Sequence, residues 1–351
     1  MLSAALTLTL LALGLIQDAR RPANEARLLG QKYDAILERY AGGVYRPARA
    51  ELKNWPLSDI DRVFDGVRAD RRWTPRLTRA AALIHTEIGV ESLRADRGSP
   101  EALWHFGVAE QALRMRTLAE DVDFRRDWYI AATAEFHRAK LQMEARSMLA
   151  QARRDLPESA DLFFVSGVVD EEIARLDAPP IQRRRPEQAV SEVSQIRRQF
   201  LIGARGHLRS AARMAPDDAK VQLHLGRVLA LLDDDRALES LERAASTGDL
   251  ETRFLASLFT GGFHQQRKRP ADAVKWYEQA TKLIPGTSPA AVALSQALQQ
   301  LGRTRDARRV LVDATKGLPR KPGYGPWENY PVAIEPDVKA LWSPLVKRID
   351  G

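Results

Sequence analysis

The chain has 351 residues, no cysteine, 44% hydrophobic and 28% charged residues, and a formal net charge of +8. With a mean hydropathy of −0.36, this composition excludes a polytopic membrane protein, a disulfide-stapled domain and thiolate or lipidated-cysteine chemistry. The basic excess does not point to nucleic acid: the 54 basic residues, mostly Arg, interleave with 46 acids and form no single stripe with aromatic support.

Met1–Ile16 carries no charge and centres on Leu6–Leu13, short for a membrane span of about 20 residues and of the length of a secretory core. Residues 1–19 are therefore read as an export signal and the location as periplasmic or secreted, not lipid-anchored. No Lys or Arg precedes the core and Gln17 stands where a small residue is preferred, so an uncleaved anchor is the alternative. No other membrane span is expected.

Leu28, Leu29, Tyr33, Ile36, Leu37 and Tyr40 recur at three and four, the period of an amphipathic helix, which Gly42-Gly43 ends. A short helix over Arg46–Asn54 stops at Trp55-Pro56, and Ile60, Val63, Phe64 and Val67 mark the next. Thr74-Pro75 and Ser99-Pro100 each supply a cap and a first-turn proline. They open helices with Leu77, Ala80, Ala81, Ile84 and Ile88, and with Leu103, Phe106 and Val108, as buried positions. Residues 20–125 read as degenerate repeats or a capping bundle.

From about Arg126 a register takes hold. Five times an alanine is followed seven residues later by another: Ala145 and Ala152, Ala204 and Ala211, Ala237 and Ala244, Ala273 and Ala280, Ala307 and Ala314. Four sets end in a proline five residues on, at Pro157, Pro216, Pro285 and Pro319, whereas Asp249 takes that place in the third. Seven residues are two helical turns, so each alanine pair lies on one face and lets a neighbouring helix approach. A small residue (Thr133, Gly226, Gly261 or Ser295) precedes four of the sets by eleven or twelve positions, and the last two sets are offset by 34, the period of a helix–turn–helix repeat. Gly167 starts a further unit, interrupted over 177–197 by the basic, proline-bounded stretch from Pro179 to Pro186. After Pro319 the chain turns rich in Pro, Gly and aromatics. Residues 320–351 are expected to cover the exposed face of the last repeat, with a short final helix near Asp337–Ile349.

Ala219–Ala230 (AKVQLHLGRVLA) with Ala237 and Ala244, Ala273–Ala280 with Pro285, and Ala307–Pro319 resemble the tetratricopeptide repeat family. The resemblance covers residues 126–319 and implies an all-α, right-handed solenoid of helix–turn–helix units. It also implies that the first helix of each unit lines a groove for a protein or peptide partner. By position, that groove would hold Lys220, Leu223, His224 and Arg227, with Phe164 and Glu171, Gln265, Gln296 and Gln299. Members that clamp a carboxylate-terminated tail use a groove asparagine where this chain has Arg227, so that clamp is not expected. Lys220, His224 and Arg227 remain as a small anion-holding patch, or as exposed groups paired with Asp217 and Asp218.

Nothing in the sequence reads as a catalytic constellation. The six histidines form no pair of metal-ligand spacing, and there is no phosphate loop or nucleophile elbow. Glu171-Glu172 reads as a solvated helix face, since adjacent helical residues do not oppose each other. The expectation is a non-catalytic interaction scaffold of the cell envelope, with no metal or cofactor. The alternative is an accessory helical module that binds a cell-wall glycan or assists an envelope enzyme.

Overall fold

The computed structural model describes residues 24–70, 73–176, 186–286, 288–316 and 338–349, all of them helix or connecting turn. Residues 1–19, where an export signal is expected, lie outside the described residues. Helix α1 spans residues 24–41, followed by α2 Tyr45–Lys53, α3 Leu57–Asp70, α4 Pro75–Ala95, α5 Pro100–Leu113 and α6 Val122–Arg138. Next come α7 Gln142–Asp155, α8 Ala160–Arg175, α9 Pro186–Met214, α10 Ala219–Leu231 and α11 Ala237–Thr247. The remaining helices are α12 Leu250–Gln266, α13 Pro270–Leu283, α14 Ser288–Gln300, α15 Thr304–Lys316 and α16 Val338–Lys347. The chain divides into two compact units, one of Met1–Glu135 with Lys339–Gly351 and one of Phe136–Val338.

The second unit is built from antiparallel pairs, α8 with α9, α10 with α11, α12 with α13 and α14 with α15, and each second helix also packs on the next first helix. The spaced alanines make this stacking close: nine of the ten are fully buried, Ala314 being the exception. The glycine on each of α8, α10 and α12 meets the residue four after the first alanine of the next helix. A Cβ on Gly167 would lie 2.5 Å from Leu208 Cγ, one on Gly226 2.7 Å from Leu241 Cγ, and one on Gly261 2.5 Å from Tyr277 Cδ1.

The turns α6–α7, α10–α11, α12–α13 and α14–α15 each carry one left-handed residue, Lys140, Asp233, Lys268 and Gly302 in that order, with φ between 57° and 74°. The residue after it donates back to a carbonyl five positions earlier, as Leu141 does to Phe136, Asp234 to Leu229, Arg269 to His264 and Arg303 to Leu298. This closes the first helix with a Schellman cap. The shortened repeat keeps the cap at Asp233 and takes up the missing residue between it and Ala237. Asp249 begins α12, where its carboxylate accepts from the Thr252 backbone N–H at 2.8 Å. That bond holds the carboxyl below its ordinary range. Asp249→Ala is expected to lose about 1 kcal/mol in chemical denaturation. The difference should vanish as pH falls through the depressed pKa, because a protonated cap no longer offers the charged acceptor.

One expectation changes. Leu28 and Leu103 are 51% and 38% exposed rather than core. Residues 317–337 of the expected cap lie outside the described residues, and the final helix expected near Asp337–Ile349 is α16, which groups with the first unit. The reason is its apolar face. Leu345 and Ile349 are fully buried, and the groups beside them find acidic partners on α6. Within the interruption, residues 177–185 lie outside the described residues, whereas 186–197 continue as the start of α9.

In the first unit α2, α4 and α6 run as a parallel row. Arg49 and Lys53 reach Glu87 and Glu91, while Arg79 reaches Asp121 and Trp128 donates to Thr86. Thr74 and Ser99 cap α4 and α5 through their hydroxyls, with Pro75 and Pro100 in the first turns.

Candidate functional site

The sequence-derived groove residues do not share one environment. Glu171 on α8 is 2% exposed and accepts from His224 Nδ1 at 2.8 Å, while Arg227 Nε lies 3.0 Å from its other oxygen, both from α10. Phe164 packs edge-on against the His224 ring, and the Arg227 guanidinium lies over Phe259 of α12 at 4.3 Å. Here α8, α10 and α12 are tied by one compact ionic and aromatic cluster. The expected anion patch is therefore corrected: His224 and Arg227 already face a buried carboxylate, and their partner is Glu171 rather than Asp217 or Asp218. The reading of Glu171 as solvated is corrected with it, because its helix face is covered by α10.

The other residues separate. Lys220 is exposed at the start of α10, and Leu223 is buried in the core between the α10–α11 and α12–α13 pairs. Gln265 accepts from the Tyr277 hydroxyl at 2.8 Å, which makes it a bond within the pair. Gln296 and Gln299 are exposed on α14 and, with Val292 at 45% exposure, form a stripe spaced by four and three residues. Sequence reasoning missed Phe259, one position after Leu258, although its repeat position relative to Gly261 matches that of His224 relative to Gly226.

In the first unit, the row face of α4 and α6 holds α16. Trp342 Nε1 donates to Glu135 at 3.1 Å, and Arg348 donates to Asp127 at 2.9 Å. Arg79 donates to the backbone carbonyl of Arg348 at 2.9 Å, a cation satisfying a free carbonyl just past the helix end. Beside α16 a cleft of about 290 Å³ stays open, lined by Leu83, Val90 and Val346 and by Arg49, Glu87 and Glu91.

Deeper in that unit, Tyr33 stacks on Trp73 and its hydroxyl bonds His85 Nε2 at 2.7 Å. His85 Nδ1 faces His105 Nδ1 at 2.8 Å, so one proton lies between the two rings and both are neutral with opposite tautomers. Burial drives the His85 pKa well below its ordinary value and that of His105 to about 4. The groups around the pair are Tyr33, Glu101 at 3.9 Å, and the field of Lys53. Since the unfolded histidines protonate near pH 6.5, stability is expected to decline as pH falls from about 6.5 towards 4. Thermal melts across that window check this, and His105→Gln should flatten the slope. The rings are at most 1% exposed and carry no substrate-facing chemistry. Among the described residues no cluster of three or more His, Asp or Glu is arranged to hold a metal ion, and no helix is long and apolar enough to cross a membrane.

Paired helices with a small residue on the first and spaced alanines on the second define an all-α helical-repeat protein. No protein-family model matches the sequence, and no curated protein matches it. Similar solved structures include PilF of Pseudomonas aeruginosa, with a TM-score of 0.43, 16% identity, 65% of this chain and 90% of that one. Another is a structure of MamA, with a TM-score of 0.40, 18% identity, and 56% and 95% of the two chains. A third is TTC0263, a thermophilic TPR protein in Thermus thermophilus, with a TM-score of 0.36, 22% identity, and 62% and 100% of the chains. The likeness concerns the fold.

Proposed function

We propose that this protein is a non-catalytic scaffold of the cell envelope that binds another protein along the first-helix faces of its repeats. The observation that carries this reading is α16. One first-helix face already recognises an amphipathic helix distant in sequence, through apolar anchors, a tryptophan N–H and an arginine–carboxylate pair. This is the helix-in-groove mode of recognition. In the second unit the same role falls to Lys220 and to the Val292–Gln296–Gln299 stripe, because Glu171, His224 and Arg227 are engaged in holding three helices together. The envelope location rests on the uncharged apolar run of Met1–Ile16.

Affinity capture from an envelope fraction with the full chain and with a Gln296→Arg/Gln299→Arg variant tests the reading. Both positions are exposed, so the variant should melt like the parent while recovering at least about tenfold less partner, roughly 1.4 kcal/mol of binding. Equal recovery of the same protein by both removes α14 from the binding face. Sequencing the N-terminus of the mature protein tests export, which predicts a start beyond residue 19.

A further inference from the structure

We propose that the α4–α6 face of the first unit is an exchangeable helix-binding site, held in cis by α16, whose partner is an amphipathic helix of a second protein. This rests on the scaffold reading above and names the partner chemistry for one of its faces. That helix would present an aromatic N–H donor, an aliphatic anchor three residues on and a basic group three further, the order of Trp342, Leu345 and Arg348.

Three observations carry it. First, α16 is ten residues long and contains Pro344. A helix that short is marginal alone, and an interior proline removes one of its hydrogen bonds, so its fold depends on the surface beneath it. Second, its contacts among the described residues include two fully buried side chains, Leu345 and the adjoining Ile349, and polar links to Glu135, Asp127 and Arg79, a pattern that another amphipathic helix can reproduce. Residues 317–337, twenty-one in number, tether it to the repeats. Covalent linkage makes α16 an intramolecular ligand of this face, so the helix of a second protein has to bind more tightly to displace it. Third, α16 does not fill its site. The cleft of about 290 Å³ runs along α4 between Leu83 and Val90, with Val346 as its wall on the α16 side. A partner with a larger side chain at the Val346 position would bury apolar surface that α16 leaves open.

The test uses three proteins: the full chain, a chain ending at Asp337, and the full chain with Trp342→Ala and Leu345→Asp, which frees the helix in place. The probe is a fluorescent peptide of residues 338–351, read by anisotropy. The truncated and released proteins should bind it at least tenfold more tightly than the full chain does. A Val346→Phe peptide should bind several-fold more tightly still, and a Trp342→Ala/Leu345→Ala peptide should fail. The proposal is overturned if a truncated protein with its helical signal and cooperative melt intact does not bind the peptide, or if the full chain binds it equally well. It also fails if Val346→Phe weakens binding. Should the truncated chain not fold, native-state hydrogen exchange on the full chain decides. Exchange of 338–349 through an opening that leaves α4 protected supports it, and exchange only with global unfolding sinks it. None of these readouts needs a cellular partner. Their failure leaves the wider scaffold reading standing, and failure to capture any partner leaves this site standing.

Discussion

Glu171→Ala is expected to destabilise the second unit by about 3–5 kcal/mol, the range for removing one partner of a buried ion pair. The carboxylate is 2% exposed and stands against both His224 and Arg227. Its loss leaves the guanidinium, whose side chain is only 14% exposed, with its nearest counter-charge gone, and removes the tie between α8 and α10. Glu171→Gln keeps an acceptor for His224 and should cost less. Replacing the pair together, Glu171→Leu with Arg227→Met, should also cost less than Glu171→Ala alone, since paired apolar groups leave no orphaned charge. Equilibrium denaturation of the three variants checks the order. If Glu171→Ala falls within about 0.5 kcal/mol of the parent, as an ordinary surface change does, the cluster does not tie the helices.

The second large effect is Gly261→Ala. A methyl at this position sits 2.5 Å from both Cδ1 and Cε1 of Tyr277, and the ring has little room to retreat. It is 3% exposed and its hydroxyl is bonded to Gln265. Overpacking of this kind costs about 1–3 kcal/mol. The gain in helix propensity from Gly to Ala returns about 1 kcal/mol. Because the clash is with ring atoms, the upper end applies and a net loss of about 2 kcal/mol is expected. The decisive control is the background. With Tyr277→Ala already present, the clash is gone and only the propensity gain remains, so Gly261→Ala should become stabilising by up to about 1 kcal/mol. An equal loss in both backgrounds would mean that the glycine serves something other than this contact.

Much of the fold is legible in the sequence because the repeat writes its packing rule several times. The alanine pairs and the small first-helix residue are separate marks of one contact, so each predicts the other. Gly226 against Leu241 repeats Gly167 against Leu208 and Gly261 against Tyr277. The candidate site is legible only in part. Position within the repeat placed Glu171, His224 and Arg227 on first helices, but it did not say that the α8 carboxylate would meet His224 and Arg227 of α10. That depends on how far one helix is displaced along the next, which side-chain identity at a single repeat position does not encode. His85 and His105 are twenty residues apart on antiparallel helices, a spacing that no ligand motif flags. The placement of α16 was hidden for a related reason. Its apolar face announced a burial but not which of two helical surfaces would provide it, and the acidic groups that settle the matter, Asp127 and Glu135, lie more than two hundred positions away.

The central claim is that the first-helix faces bind protein while the alanine-bearing second helices serve packing. It is tested most directly by photo-crosslinking in the cell, with a photoreactive residue placed singly at Gln296 or Lys220 on first helices and at Glu239 or Arg308 on second helices, all four exposed. A discrete protein adduct is expected from Gln296 and Lys220 and none from Glu239 and Arg308. Adducts from the second-helix positions with none from the first would contradict it.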